Sequence, residues 1–372
     1  MKIKVLPVDD SAVVRSMLKR IFVQDERFEL CSFAENGAVN GKDAVDLCKK
    51  FSPDLIVMDL NMPVMNGIEA SREIFKTSNP AIVAFTTEDY ADSACECYDA
   101  GILEVIKKPD FAVMTQKNLC DFVEKIYFIA QSHIFKSQNL LQKKSCGKNF
   151  IDLKNSKTEL KNLENFLKVQ DNSEKEKPYL ILAIASSTGG PRELKNILCG
   201  LKKNFPIPII ITQHNDLDFD GYLAKWLGDA SGMNIKIAQN GESLLAGKVY
   251  IAPSGFHLCI KKSGNNQENL SVFLDSGDAV NFFKPAADKM FESVAKVCGK
   301  KSIAVILTGM GKDGGLGLKS VYDAGGFTIA EAEQDCVVYG MPKFAIEKKA
   351  VSRVERLSSI SKLINSLLSE QK

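Results

Sequence analysis

Three short apolar runs limit what this chain can fold into more than any other feature. They are Tyr179-Leu180-Ile181-Leu182-Ala183-Ile184-Ala185, Ile207-Pro208-Ile209-Ile210-Ile211 and Ile303-Ala304-Val305-Ile306-Leu307. Short runs rich in β-branched residues and bounded by glycine or turn residues predict buried strands of a parallel sheet. Ser187 stands at the end of the first run, His214 at the end of the second, and Asp313 just beyond the third. In open α/β sheets, sites form beyond the carboxyl ends of the strands. A nucleophile, a base and an acid on three such ends would meet in one crevice, which points to covalent hydrolysis.

At 372 residues the chain is long enough for two or three domains, each with its own core. A formal net charge of +2 gives no case for nucleic acid or an anionic membrane surface as partner. The start, Met1-Lys2-Ile3-Lys4-Val5-Leu6, is too short in apolar length for a signal peptide, and Asp9-Asp10 follows at once. No stretch approaches the roughly 20 apolar residues of a membrane span, so no membrane insertion is expected. The ten cysteines are scattered, with Cys95-Glu96-Cys97 as their closest approach, and are expected to be reduced and buried. A cytoplasmic protein is expected.

Strand candidates in the first half are Ile3–Val8, Leu55–Met58, Ile82–Phe85 and Leu103–Ile106, with helical patterns between them. That alternation predicts a parallel sheet with helices on both faces. From about Lys136 to Lys177 the composition turns to Lys, Asn, Glu, Ser and Gln, ending in the solvated stretch Asp171-Asn172-Ser173-Glu174-Lys175-Glu176-Lys177-Pro178. Leu153, Leu160, Leu163 and Leu167 fall at helical spacing inside it, which predicts a short helix. The alternation resumes at Tyr179, and Leu357, Ile360, Leu363, Ile364, Leu367 and Leu368 mark an amphipathic closing helix. The expected division is a domain over 1–128, a partly helical linker over 129–178 and a second domain over 179–372. The fold class is α/β, two doubly wound parallel-sheet domains, the first flavodoxin-like and the second Rossmann-like.

Asp9-Asp10 ends the first strand and Asp59 ends Leu55-Ile56-Val57-Met58. Three converging carboxylates repel one another unless a cation lies between them, and oxygen-only ligands suit Mg²⁺. Asp59 could then act as an aspartyl nucleophile toward a phosphoryl group. Lys108, before Pro109, could pair with the added charge, and Thr86 could donate a hydrogen bond to it. Any single acid here reads as a loop residue or helix N-cap; the combination at four strand ends is far more specific.

With Val8-Asp9-Asp10-Ser11, Met58-Asp59-Leu60-Asn61-Met62-Pro63-Val64-Met65-Asn66-Gly67, Thr86 and Lys107-Lys108-Pro109, residues 1 to about 128 resemble the receiver domain of a two-component response regulator. The resemblance implies phosphorylation of Asp59 by a histidine kinase. It also implies Mg²⁺ held by Asp10, Asp59 and the backbone carbonyl of Asn61, with Asp9 supporting the ion through contacts behind these ligands. Charge on Asp59 would draw Thr86 and Lys108 inward and shift a two-state surface. The chain departs from the pattern in three places. Pro7 lies inside the first strand and removes a ladder donor. Gly37-Ala38-Val39-Asn40 is an insertion after the second strand. Val105 replaces an aromatic residue three positions before the motif lysine.

In the second half, Ser186-Ser187-Thr188-Gly189-Gly190-Pro191 joins a strand to the helical pattern from Glu193 to Leu198. A serine at such a turn has its hydroxyl near unpaired backbone N–H groups that can stabilise an oxyanion. A generic Ser-Thr-Gly-Gly is also a good helix N-cap or phosphate-binding turn. Of three histidines, His133 opens the linker region and is expected to be exposed, and His257 is expected to be structural. His214, after Ile211-Thr212-Gln213, is where a base for Ser187 is needed. Asp313 could hold the His214 imidazole in its productive tautomer. Gly309-Met310-Gly311-Lys312-Asp313-Gly314 also fits GxGxxG, with Glu331 about 20 residues on, so a dinucleotide site rivals the triad if this segment is read alone. The late position of the segment and an acid that would repel pyrophosphate weigh against it.

Ser187-Thr188-Gly189-Gly190, Thr212-Gln213-His214, Ile251-Ala252-Pro253-Ser254-Gly255-Phe256-His257, Leu307-Thr308-Gly309-Met310-Gly311-Lys312-Asp313-Gly314 and Val337-Val338-Tyr339-Gly340-Met341-Pro342 carry a second resemblance. Residues from about 179 to 350 are similar to the catalytic domain of the chemotaxis-specific protein-glutamate methylesterase family. The resemblance implies Ser187 as nucleophile, His214 as base and Asp313 as orienting acid, with the Met310 backbone N–H and Thr188 serving the oxyanion and substrate. It implies hydrolysis of glutamate methyl esters on chemoreceptors, with methanol released, and deamidation of receptor glutamines. No cofactor is implied for that chemistry. Departures are Ala185-Ser186 before the nucleophile, Asn281-Phe282-Phe283-Lys284-Pro285-Ala286-Ala287-Asp288, which lacks polar residues the family tends to carry, and Glu331-Ala332-Glu333-Gln334-Asp335.

Overall fold

The structure, a computed structural model, describes residues 2–31, 37–87, 91–109, 115–145, 179–215, 219–264 and 269–369. The predicted helix around Leu153 to Leu167 lies outside them. The first half runs β1 (Ile3–Val8), α1 (Ala12–Gln24), β2 (Phe28–Leu30), α2 (Gly41–Phe51), β3 (Leu55–Met58), α3 (Gly67–Phe75), β4 (Ala81–Thr86), α4 (Ala91–Asp99), β5 (Glu104–Lys107) and α5 (Gln116–Ser145). Its five strands are parallel in the order β2-β1-β3-β4-β5, the flavodoxin-like arrangement. β3 and β4 are buried along their whole length, which is why both read as unbroken apolar runs. Asparagine caps start two of the helices: Asn40 accepts from the Asp43 N–H, and Asn66 forms a reciprocal capping box with Glu69.

Pro7 and the inserted Gly37–Asn40 segment explain each other. β2 pairs with β1 only as far as Val5, so no β2 carbonyl lies beside Pro7 to need its missing N–H. The insertion takes over that edge: the Ala38 N–H donates to the Pro7 carbonyl at 3.0 Å, and the Asp9 N–H to Ala38 at 3.1 Å. The proline is thus tolerated in a central strand, and the strand end that carries Asp9 stays tethered.

The second half contains β6 (Ile181–Ser186), α6 (Gly190–Gly200), β7 (Ile209–Gln213), α7 (Asp220–Ser231), β8 (Asn234–Ile237), β9 (Lys248–Ile251), β10 (His257–Lys262), β11 (Leu270–Asp275), α8 (Ala287–Cys298), β12 (Ser302–Ile306), α9 (Gly315–Asp323), β13 (Phe327–Glu331), α10 (Met341–Glu347), β14 (Arg353–Glu355) and α11 (Leu357–Ser369). Seven strands form a parallel sheet ordered β14-β13-β12-β6-β7-β9-β8, while β10 and β11 form a separate antiparallel hairpin. Strand periodicity divides the core. Leu182, Ile184, Ile209 and Ile211 pack on the side of Leu194, Ile197, Ile360 and Ile364. Ile181, Ala183, Ala185 and Ile210 face Met290, Phe291 and Val294 of α8. Each fully buried Leu, Ile, Val, Met or Phe side chain among them stabilises by about 1.5–3 kcal/mol. The chain leaves β6 toward β7 on one side and has β12 on the other, so the order reverses at β6. A crevice therefore opens at its carboxyl end.

α5 continues through residues expected to begin the linker and lies against the second half. Phe122, Ile126 and Ile129 share a core cluster with Val337 and Val338. Beyond them the Ser132 hydroxyl donates to the Cys336 carbonyl at 3.2 Å, and Lys136 Nζ to the Asp335 carbonyl at 2.7 Å. His133 corrects the expectation of exposure: it sits half-buried on this helix, with Nε2 2.8 Å from the Asn79 carbonyl oxygen. The apolar face of α5 needs a partner, and the lysine- and glutamine-rich composition after Lys136 hid that the helix persists. The cysteines described are free, but Cys120 and Cys199 are exposed rather than buried. No helix among the described residues is long and apolar enough to cross a membrane.

Candidate active site

β6, β7 and β12 are neighbours in the sheet; Ser187 and His214 directly follow β6 and β7, and Asp313 lies seven residues past the end of β12. The ladder continues beyond the strands to hold them. The His214 N–H donates to the Ser186 carbonyl at 3.1 Å, and the Ser187 N–H to Thr308 at 3.0 Å. Beneath the turn, Ser186 Oγ donates to Gln213 Oε1 at 2.6 Å, and Gln213 Nε2 donates to the Ser187 and His214 carbonyls at 2.9 and 3.0 Å. This buried network leaves no room at residue 190, where an added Cβ would come within 2.0 Å of Gln213 Oε1. On the other flank a Cβ at Gly309 would stand 2.8 Å from the Ser187 Cβ. The two glycines thus let the 308–311 loop and the α6 turn close on the serine.

Asp313 Oδ2 and His214 Nε2 are 2.8 Å apart, a hydrogen bond between fully buried and nearly buried side chains. α8 supplies the rest of the carboxylate's support. The Ala287 N–H donates to Oδ2 at 2.6 Å and the Asp288 N–H to Oδ1 at 3.2 Å, at the positive end of that helix. Burial alone would raise the Asp313 pKa, but bonds from His214 and these two N–H groups outweigh it and hold it below the ordinary value. His214 Nδ1 is buried without a hydrogen-bond partner among the described residues. The structure therefore brings His214 and Asp313 together, while Ser187, itself buried, is not hydrogen-bonded to the imidazole. Such bonds commonly tighten only with substrate bound.

Thr188 is buried, and its carbonyl accepts from Thr308 Oγ1 at 3.0 Å. Met310 is half-buried against the cluster that contains Phe122 and Ile126 of α5. His257 is structural: Nδ1 accepts from the Ala286 N–H at 3.0 Å, and Nε2 lies 2.9 Å from the Asp278 carbonyl oxygen. Glu331 does not face a ribose site. It is fully buried and its Oε2 accepts from the Thr308 N–H at 2.7 Å; burial and the nearby Glu193 push its pKa up to about 8.

Several residues at this site escaped the sequence reading. Glu104 of β5 reaches across from the first half, its Oε2 accepting from the Gly189 N–H at 3.1 Å, two residues beyond Ser187. Phe283 lies flat on the His214 imidazole, ring centroids 3.9 Å apart and planes 5° from parallel. Asp288 accepts from Asn281 Nδ2 at 3.1 Å and from the Gly317 N–H at 2.7 Å. No motif spacing marks Glu104, because its partner is a backbone group 85 residues away. The departure of 281–288 from the family pattern was the one signal for the others.

At the carboxyl ends of β1 and β3, one oxygen from each of Asp9, Asp10 and Asp59 lies within 4.8 Å of the others. Lys108 Nζ is 2.7 Å from Asp9 Oδ2 and 3.1 Å from Asp59 Oδ2, and the Leu60 N–H donates to Asp59 Oδ1 at 2.8 Å. Burial raises the Asp59 pKa against the opposing pull of Lys108. Thr86 is buried beside them and accepts at its carbonyl from the Lys108 N–H at 2.7 Å, whereas Asn61 is exposed. An all-oxygen donor set, two of its three carboxylates buried, fits a hard divalent cation.

Comparison with known proteins matches both halves of the chain to families. Residues 182–364 match the CheB methylesterase family and residues 5–119 the response regulator receiver domain. A protein-glutamate methylesterase/protein-glutamine glutaminase of Methanococcus maripaludis is 34% identical over 95% of this chain and 94% of its own length. One of Thermotoga maritima is 36% identical over 93% of each chain, and one of Bacillus subtilis 32% identical over 100% of this chain and 99% of its own. With a receiver sheet, a methylesterase sheet and relatives matched from end to end, the chain belongs to the CheB family of protein-glutamate methylesterases/protein-glutamine glutaminases, chemotaxis hydrolases that join a response regulator receiver to a methylesterase domain.

Proposed function

We propose that Ser187 is the nucleophile, His214 its general base and Asp313 the acid that orients the imidazole, in a cytoplasmic esterase acting on methylated chemoreceptors. The observation that carries this reading is the His214–Asp313 hydrogen bond of 2.8 Å at the ends of strands flanking the one that presents Ser187. The free ring nitrogen Nδ1 takes the Ser187 proton as Oγ attacks the glutamyl ester carbonyl. The tetrahedral oxyanion then forms at the α6 turn, with the Met310 N–H as donor and Thr188 beside it. His214 returns the proton to the departing methanol. Water, deprotonated by His214, next attacks the acyl-serine; the proton goes back to Ser187 Oγ and the glutamate is released. With a glutamine side chain the same steps release ammonia.

Residues 1–128 form the regulatory unit in this reading, 129–178 the connection and 179–372 the hydrolase. Asp59 accepts a phosphoryl group from a histidine kinase. Asp10, Asp59 and the Asn61 carbonyl would hold Mg²⁺, with Asp9 in support, and the cation neutralises phosphoryl charge when bound. Thr86 and Lys108 then respond to the charge on Asp59. The unphosphorylated receiver restrains the esterase through its packing beside the α6 turn, and phosphorylation loosens that packing. Methanol release from a methylated receptor fragment tests the whole reading. Wild-type chain should release methanol faster with a small phosphodonor than without. Ser187→Ala should lose turnover by about a thousandfold or more. Near-normal release by that variant would remove the mechanism.

A further inference from the structure

A tight hairpin next to the site has no part in the chemistry above. Val280 and Phe283 exchange both backbone hydrogen bonds, at 3.1 and 2.9 Å, around a two-residue tip. Both tip residues are left-handed, Asn281 at φ 52° and Phe282 at φ 71°. Tips of this kind normally carry Asn-Gly or Gly-Gly, and a phenylalanine there is an uncommon, strained choice. Strain of this sort persists only where the surroundings hold it, and it clusters at functional sites.

The turn places two side chains on the base–acid pair. Phe283 covers one face of the His214 ring at 3.9 Å, and Asn281 Nδ2 lies 3.1 Å from Asp288 Oδ2 and 3.5 Å from Asp313 Oδ1. Phe283 is only half-buried and joins none of the large apolar clusters, so filling the core does not account for its position. Resting on the assignment of His214 as base, we propose that Phe283 is a positioning residue that fixes the plane of the catalytic imidazole. The Cβ–Cγ bond and the bond from Nε2 to Asp313 hold two points of the ring and leave its plane to rock about the line between them. A parallel aromatic face 3.9 Å away removes that motion and fixes the direction of the unpartnered Nδ1. The contact also strengthens during reaction. As the imidazole takes the serine proton it becomes a cation over a π-face, an attraction absent in the resting enzyme. The hairpin is thus worth its strained tip because its product is a correctly turned base.

The test compares Phe283→Leu, which keeps apolar volume but has no flat ring, with Phe283→Tyr, which keeps the ring. Both are measured in the full chain alongside His214→Ala, for kcat and KM with methylated receptor fragment, after thermal melting shows each folded. The leucine variant should lose about tenfold in kcat with KM within about twofold, and tyrosine should restore kcat to within about twofold of wild type. Phe283→Met supplies the same comparison should the leucine variant lose its fold. Wild-type kcat in the leucine or methionine variant, or equal losses in leucine and tyrosine, would overturn the proposal. If His214→Ala is inactive in the same assay, that failure belongs to Phe283 alone; activity in His214→Ala would instead remove the base assignment itself.

Discussion

Removing the Glu104 carboxylate should release the esterase from its receiver. Glu104 Oε2 accepts from the Gly189 N–H at 3.1 Å in a nearly dry contact, at the amino-terminal end of α6 where negative charge is favoured. Lys125 Nζ lies 3.6 Å from its Oε1. A hydrogen bond to a charged group contributes about 1.5–3 kcal/mol net. If Glu104→Ala costs the docked state that much, the fraction with the receiver lifted rises roughly 10- to 150-fold while lifting remains rare. Glu104→Gln keeps a neutral acceptor, roughly half as strong, and should give a rise of only several-fold. The assay is methanol release by the full chain without phosphodonor, each variant scaled to its own rate with phosphodonor. The graded order Ala above Gln above wild type is the expected result. An unchanged basal rate in Glu104→Ala, with stimulation intact, would show that the carboxylate does not restrain the enzyme.

Glu331 makes a pH prediction. Its folded pKa, pushed up to about 8, lies above the ordinary 4.5, so between those values the folded chain holds a proton the unfolded chain has lost. That stabilisation is complete at the acidic end and fades as pH rises through the window, by at most about 1.4 kcal/mol per pH unit. Glu331→Gln should flatten this part of the urea-midpoint profile; an unaltered slope would count against a protonated Glu331. At the receiver, Asp59→Asn should abolish stimulation by phosphodonor, and chelation of divalent cations should do the same in wild type while leaving basal methanol release intact. Stimulation that survives chelation would contradict the cation assignment.

Strand ends are readable because parallel sheets bury both faces, so Ile3–Val8 and Leu55–Met58 stand out as apolar segments with Asp9 and Asp59 immediately after them. The same logic singles out Ser187 and His214, two and three residues beyond apolar runs. The β10–β11 hairpin leaves little mark in the sequence, because each strand buries a run of residues at one end and exposes or half-buries the other instead of alternating. Contacts between the halves were invisible for a different reason. Glu104 sits on a strand and binds a backbone N–H, and Lys136 binds a backbone carbonyl, so neither partner leaves a mark in residue identity. His133 reads as exposed because local composition resembles a linker, whereas the fold half-buries it and sets its Nε2 against the carbonyl of the distant Asn79. Phe283 departs from the family pattern, but only the fold shows that the substituted ring lies on the imidazole.

Covalent capture by an active-serine reagent tests the central claim most directly, because it reads nucleophile and base without any receptor. Treated with a fluorophosphonate and mapped by mass spectrometry, the full chain should carry one adduct, on Ser187, and His214→Ala should acquire it at least about a hundredfold more slowly. An adduct at another residue, or undiminished labelling in His214→Ala, would contradict the account.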